Sequence, residues 1–339
     1  MQRKNLIDIV VSANQSPYTS KVAVVPFSTR VRVAEDAGGG SLMKQLTGLN
    51  PLWSGWINQC LTSSGSGGSE TDGDWKCLKS QVQLQSNWLV MPCVTDRFYN
   101  NAAGFDATDN APGSGRWLNA HGGDRMTASW DSSDTLATSY LGKANSDPSN
   151  QWNYTSDGSC SDVGSSNVVM PLSSDTSSLK ASIDGLQAYG STAGALGTAW
   201  TWYTLSPNWS SIFTGSSQPR PYSDIAVKQA NGAPLLRKVA VLMTDGGYNT
   251  YRGWKGKDQQ TVSNYAIQLC TNMKAQGIEV YTVGFALDQL SPAEATIARA
   301  TLQACGTDVS HFYETLTVPQ LQAAFQNIAL QMSALYLAQ

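Results

Sequence analysis

Charge is scarce in this 339-residue chain. Only 14% of its residues are Asp, Glu, Lys or Arg, where a soluble domain carries about 25%. With a formal net charge of −3, there is no basic field, which excludes nucleic-acid binding of that kind. Histidine is nearly absent too, with only His121 and His311 present. No HExxH, CxxC or paired-His spacing exists, so neither a zinc site nor a histidine relay has local support. No segment approaches the ~20 consecutive apolar residues of a membrane-spanning helix. Polarity comes instead from Ser, Thr, Asn, Gln and Gly. The 11 Trp, 13 Tyr and 7 Phe can build a core, which excludes a charge-driven disordered chain. Six cysteines are an even number in a chain too long for disulfides to be its main scaffold. A near-neutral, Ser/Asn-rich surface with paired cysteines favours an extracytoplasmic compartment.

Met1-Gln2-Arg3-Lys4 followed by Leu6–Ala13 imitates a signal peptide, but the apolar run is short and Asp8 interrupts it. The residues Leu6, Ile7, Ile9, Val10 and Val11 suit the buried side of a helix better. Charge counted along the chain then separates one block from the rest. Residues 1–33 hold five basic and one acidic side chain, and residues 34–166 hold seven basic and fourteen acidic ones. Residues 167–236 and 237–339 are each balanced. The acidic block also holds seven Trp, four cysteines (Cys60, Cys77, Cys93, Cys160) and the run Gly65-Ser66-Gly67-Gly68-Ser69. It has no sustained helical or strand period, so it reads as a loop-rich insertion stapled by disulfides. Four cysteines allow three pairings, and nothing local selects one.

The flanks carry regular patterns. Lys21–Phe27 reads as a buried strand with 28–33 continuing it by alternation, and Asn167–Met170 as a short strand. Asp175 caps a helix running to about Gln187, and a second helix follows Gly190 and runs to Leu205. Residues 238–243 form a continuous apolar strand ending in Thr244-Asp245-Gly246. A helix over 262–276, a strand over 278–285, a helix over 291–304, an edge strand at 311–313 and a closing helix over 318–337 complete the pattern. Alternating strands and helices predict an α/β fold with a doubly wound, mostly parallel sheet covered on both faces. The expected organisation is one interrupted domain, 1–33 with 167–339, carrying the insertion 34–166 and a shorter one at 206–236.

In such sheets ligands collect at the carboxyl ends of strands. Asp245 falls there, as does the helix-opening loop Gly190-Ser191-Thr192-Ala193-Gly194. A carboxylate and a hydroxyl are hard oxygen donors, suited to Mg²⁺ or Ca²⁺. The stretch Val241–Asn249 (VLMTDGGYN) resembles the TDGxxN strand end of von Willebrand factor A domains, and Gly190-Ser191-Thr192 resembles the glycine-threonine loop of that fold. Lys21–Val33, Gly194–Trp209, Met273–Phe285 and Cys305 ahead of His311-Phe312-Tyr313 resemble TadG-like proteins of tight-adherence (Flp-type) pilus assembly. Cys93-Val94-Thr95-Asp96-Arg97 is similar to an element within that subfamily's insertion.

The resemblance implies a metal-ion-dependent adhesion site built from an Asp-x-Ser-x-Ser turn after the first strand, a threonine and an aspartate. By position Thr192 is the threonine and Asp245 the aspartate, while the turn is missing. Asp131-Ser132-Ser133-Asp134-Thr135 has nearly its spacing but no apolar strand before it. Residues 2–14 resemble the back half of the helix that follows that turn. The expectation is therefore a chain beginning inside the domain, without the first strand or an upstream membrane anchor, and a site that is incomplete.

Each residue has a plainer role as well: Asp245 can cap a turn and Thr192 a helix. His121 and His311 default to structural roles, and the loop 190–194 matches a GxSxG elbow only superficially. Asn14, Asn153 and Asn208 open sequons that a Ser-rich chain produces by chance. Cys270 lies late in one helix and Cys305 ends the next. Crossovers of the same hand put those helices side by side, so a disulfide between them is favoured over two buried thiols. The expected function is a non-catalytic, extracytoplasmic binding and assembly module with a protein partner from the pilus or envelope, no nucleic-acid partner, and contact with the membrane only through a segment absent from the sequence. Two alternatives are a carbohydrate-processing enzyme using Asp and Trp of the insertion, and a metal-free structural scaffold.

Overall fold

The computed structural model describes residues 4–11, 15–16, 19–33, 93–94, 96, 98–99, 104–110, 163–164, 166–188, 190–230, 232, 234–250 and 258–337. Most of the predicted insertion, with Cys60, Cys77, Cys160, His121, Asp131 and all seven of its tryptophans, lies outside the described residues.

The elements follow in chain order. Helix α1 (Lys4–Val10) precedes strands β1 (Val22–Val24) and β2 (Val31–Arg32). Three short strands follow, β3 (Cys93–Val94), β4 (Phe98–Tyr99) and β5 (Gly104–Phe105). Then come β6 (Met170–Ser173), α2 (Thr176–Asp184) and α3 (Gly194–Leu205). The last third holds β7 (Val239–Thr244), α4 (Gln259–Ala275), β8 (Glu279–Phe285), α5 (Pro292–Cys305), β9 (Phe312–Thr315) and α6 (Val318–Leu337).

Local chemistry explains the helix starts. The Asp175 carboxylate accepts from the amides of Ser177 and Ser178, and Asp258 does the same for Gln260 and Thr261. Ser291 and Glu294 close a reciprocal capping box ahead of α5, with Pro292 at its first position. Gly277, at φ +78°, turns the chain from α4 into β8.

Among the described residues the parallel ladders are those of β7-β8-β9, with one further parallel bridge between Arg32 and Val168. The pairs β1–β6, β2–β3 and β4–β5 are antiparallel, so the expectation of one mostly parallel sheet is met only in the last third. The strand expected to run from Lys21 to Val33 is also broken in two. Pro26 has no N–H to give a ladder; beyond it the Ser28 amide turns onto the Arg30 carbonyl, and the Ser28 carbonyl accepts from Ala193 N–H at 2.7 Å.

Helices cover both faces of this arrangement. Ala240, Leu242 and Val280 point into a core with Leu196 and Trp200 of α3 and Ala266 and Leu269 of α4. Val239, Val241 and Met243 point the other way, onto Leu321, Ile328 and Met332 of α6. Ile7 and Val11, in α1 and just after it, pack with Leu179 of α2 and with Val22 and Val24 of β1. Ten of the twelve residues of α3 are buried, which marks it as the central helix. Cys270 of α4 and Cys305 of α5 form the expected disulfide.

Two described parts of the insertion dock on the rest: β3 pairs with β2, and the segment 104–110 packs on α4 and α3. Phe105 stacks on Tyr265 at 4.3 Å, and Asn272 donates to the Ala107 carbonyl. Asp109, nearly buried, accepts from the hydroxyls of Ser206 and Tyr222 through one carboxylate oxygen. The indole of Trp209 donates to the Asp109 carbonyl, and that of Trp202 to the Tyr222 hydroxyl. Beside them the Lys238 ammonium is buried against the carbonyls of Leu205 and Arg220, with its Nζ 4.9 Å from the Tyr222 ring centroid.

Candidate functional site

The carboxyl end of β7 is shaped by its own last residue. The Thr244 hydroxyl donates to the Gly246 carbonyl and accepts the Gly246 amide, at 3.0 and 3.1 Å. That closes a tight turn and leaves Asp245 exposed at its tip. Among the described residues, no hydrogen bond or ion pair engages the Asp245 carboxylate.

The loop before α3 meets this turn. A side chain placed on Gly246 would put its Cβ 3.1 Å from Thr192 Oγ1, so the two loops are in contact. Asn249 ties them together: its Oδ1 accepts from the Ser191 hydroxyl at 2.7 Å, the Thr192 amide at 3.2 Å and the Thr250 hydroxyl at 2.9 Å. Its own amide donates to the Thr192 carbonyl at 3.1 Å. From the other side the buried Thr29 hydroxyl accepts the Ser191 amide. Tyr248 lies beneath, its ring in the space a Cβ on Gly194 would need, 2.1 Å away. Burial pushes the Tyr248 hydroxyl well above its ordinary pKa and keeps it neutral.

Thr192 does not cap α3. The capping position is Ala193, with no side-chain bond, and the Thr192 hydroxyl has no hydrogen-bond partner among the described residues. The two residues singled out from sequence thus sit on touching loops with their side-chain oxygens unengaged. Sequence reasoning passed over Thr29 and the clamping role of Asn249. The strand-end motif contained Asn249, but a side chain whose main partners lie 57 and 58 residues away leaves no local signal.

One carboxylate and one hydroxyl are the right kind of donor for a hard cation and too few of them, since Mg²⁺ takes about six oxygens. Among the described residues no group of three or more His, Cys, Asp or Glu could hold a metal ion. The Thr192–Asp245 pair therefore does not fit a cation by itself. Among the described residues no histidine, lysine or cysteine is bonded to it either.

His311 lies elsewhere, at the amino end of the parallel strands. Its Nδ1 is 2.8 Å from Asp308 and its Nε2 3.1 Å from Glu279. Burial would raise the Glu279 carboxyl, but bonds from Arg237, Tyr281 and His311 outweigh it and hold the group below its ordinary value. This network pins the start of β8 to the turn before β9, which is a structural task.

No family model matches the sequence, and no curated protein does. Among solved structures, the pilus adhesin SpaC from Lactobacillus rhamnosus GG aligns in its open conformation at 13% identity and TM-score 0.34, and in a second form at 14% and 0.33. The alignments cover 50% of this chain and 23% of the adhesin, about a quarter of that protein's length. Similarity at this level does not establish a common fold.

Proposed function

We propose that this chain is a non-catalytic binding and assembly module that works outside the cytoplasm, in pilus assembly or adhesion. In this reading it is an interrupted von Willebrand factor A-type domain of the TadG-like kind, and its partner is a protein. The observation that carries the reading is the pair formed by the Thr192 hydroxyl and the Asp245 carboxylate, unengaged on two clamped loops at the carboxyl end of β7. An exposed carboxylate beside a hydroxyl can accept from a partner's ammonium, guanidinium or backbone N–H groups. Because Asn249, Thr29 and Tyr248 already hold the loops, little ordering entropy is lost when a partner arrives. The Cys270–Cys305 disulfide supports an oxidising compartment. In the intact family fold a Mg²⁺ or Ca²⁺ ion would bridge to a partner carboxylate; the donors present do not fit one, and no binding step is assigned to it.

The test is quantitative binding of fluorescently labelled protein to envelope preparations of the producing cell, with Asp245→Ala and Thr192→Ala beside the parent. Each variant should bind at least about tenfold more weakly, the scale of one lost charge-assisted contact. Unchanged binding by both variants refutes the reading, and so does release of reducing sugar from a polysaccharide panel by the parent protein.

A further inference from the structure

The carboxyl edge of the parallel sheet carries two kinds of unengaged surface side by side. The ladders pair Thr244 with Gly284 and Gly284 with Glu314, so these residues form one row across β7, β8 and β9. Asp245 lies one residue beyond that row and Leu316 two residues beyond it. Paired strands are about 4.8 Å apart, which sets the two backbone positions about 10 Å from each other. At the β7 end the Asp245 carboxylate is exposed, with Thr192 on the touching loop. At the β9 end Leu316 and Val318 are 50% and 48% exposed. A bonded backbone holds these two aliphatic side chains in water. The Gln320 side-chain oxygen accepts the amides of Leu316 and Thr317 at 2.8 and 3.1 Å, and the Thr315 carbonyl accepts the Ala286 amide.

Between the two ends, Ala286 follows β8 at φ +52°, the one non-glycine residue with positive φ among the described residues. Backbone strain of that kind clusters at ligand-binding loops. The charge along this edge has one sign. Among the described residues, its turns and helix starts carry Asp245, Asp258, Asp288 and Glu294 and no basic side chain. Asp258 and Glu294 are spent on capping α4 and α5, and Arg299 of α5 is already paired with Glu314 at 2.8 Å. Asp245 and Asp288 have no ion pair among the described residues.

We propose, resting on the binding reading above, that the partner lays an extended segment along this edge, with a lysine or arginine on Asp245 and Thr192 and a leucine, isoleucine or valine on Leu316 and Val318. A cation answers carboxylates that have none of their own. An aliphatic side chain covers fixed apolar surface that otherwise stays in water. Alternate residues of an extended chain lie about 7 Å apart on one face. The long stem of a lysine or arginine spans the remaining few ångströms. The aliphatic residue therefore stands two positions from the cation.

The experiment titrates the isotope-labelled whole chain at low salt with the end-blocked peptide Gly-Ser-Lys-Ser-Leu-Ser-Gly and follows amide shifts by NMR. The amides of residues 245–247 and 316–318 should shift together, with one dissociation constant on the order of a millimolar. Glu for the peptide's lysine, Ser for its leucine, Asp245→Asn, or Leu316→Ser with Val318→Ser should each weaken binding about tenfold. Shifts at one end only, shifts indifferent to charge reversal, or no shifts at about 10 mM peptide overturn the proposal. So does binding about tenfold tighter with Arg252→Gln, Lys255→Gln and Lys257→Gln together, because these side chains, outside the described residues, would then be the cations on Asp245. Shifts that grow with protein concentration alone overturn it too, because a second copy would be the occupant. The envelope-binding assay separates this proposal from the reading beneath it. If Asp245→Ala and Thr192→Ala weaken binding while Leu316→Ser with Val318→Ser does not, the partner chemistry fails and the binding module stands. If no variant weakens it, both fail.

Discussion

Replacing Asp109 by Ala should loosen a docked segment of the insertion and cost much of the protein's stability. One carboxylate oxygen accepts two hydroxyl hydrogen bonds, from Ser206 and Tyr222, in nearly buried surroundings. A hydrogen bond to a charged group contributes about 1.5–3 kcal/mol. The two share one acceptor and one neighbourhood, so they do not add, and a loss of about 3–4 kcal/mol follows. A domain is stable by only about 5–15 kcal/mol, so this is a large fraction. Asp109→Asn keeps a carbonyl oxygen for both donors and should lose about 1 kcal/mol. Urea unfolding followed by tryptophan fluorescence is the assay, since Trp202 and Trp209 belong to the same cluster. A double-mutant cycle with Tyr222→Phe should return a coupling of about 1–2 kcal/mol. An Asp109→Ala midpoint within about 0.5 kcal/mol of the parent, or a coupling of zero, would refute the reasoning.

Replacing Cys270 and Cys305 together by Ser reopens a 35-residue loop and should lower stability by about 4 kcal/mol, read from urea midpoints under non-reducing conditions; no loss would show that the bond does not restrain the unfolded chain. Burial pushes the Lys238 ammonium down to about 8 from an ordinary value of 10.5, against the pull of Asp224 and Asp109. Between those pH values the unfolded chain holds a proton that the folded chain releases, so this group makes stability rise with pH. Parallel pH profiles for the parent and Lys238→Met across that window would contradict it. Calorimetric titration with Mg²⁺ or Ca²⁺ should show weak binding at best, and tight binding abolished by Asp245→Ala would mean that the described donors are not the whole site.

What was legible in the sequence depended on how local its physics is. The closing helix was read to the residue, 318–337, because its apolar period is local. β7 and β8 were read to within one residue because continuous apolar runs end at turn residues. The Cys270–Cys305 bond followed from crossover handedness, which is a topological rule rather than a sequence signal. The run 21–33 misled because alternation continues past Pro26 while the backbone groups of Ser28 are committed elsewhere. Asp109 had no signature, since its partners lie 97 and 113 residues away. Thr29 escaped notice likewise, its bond to Ser191 spanning 162 residues.

The bond between α4 and α5 has a mechanical side. These helices flank β8, and the covalent link short-circuits everything between Cys270 and Cys305. When the chain is pulled from its two ends, this 35-residue span would withhold about 120 Å of contour. β8, the middle strand of the parallel sheet, lies wholly within the withheld span. Under tension, the force would pass through two sulfur atoms and leave that strand slack.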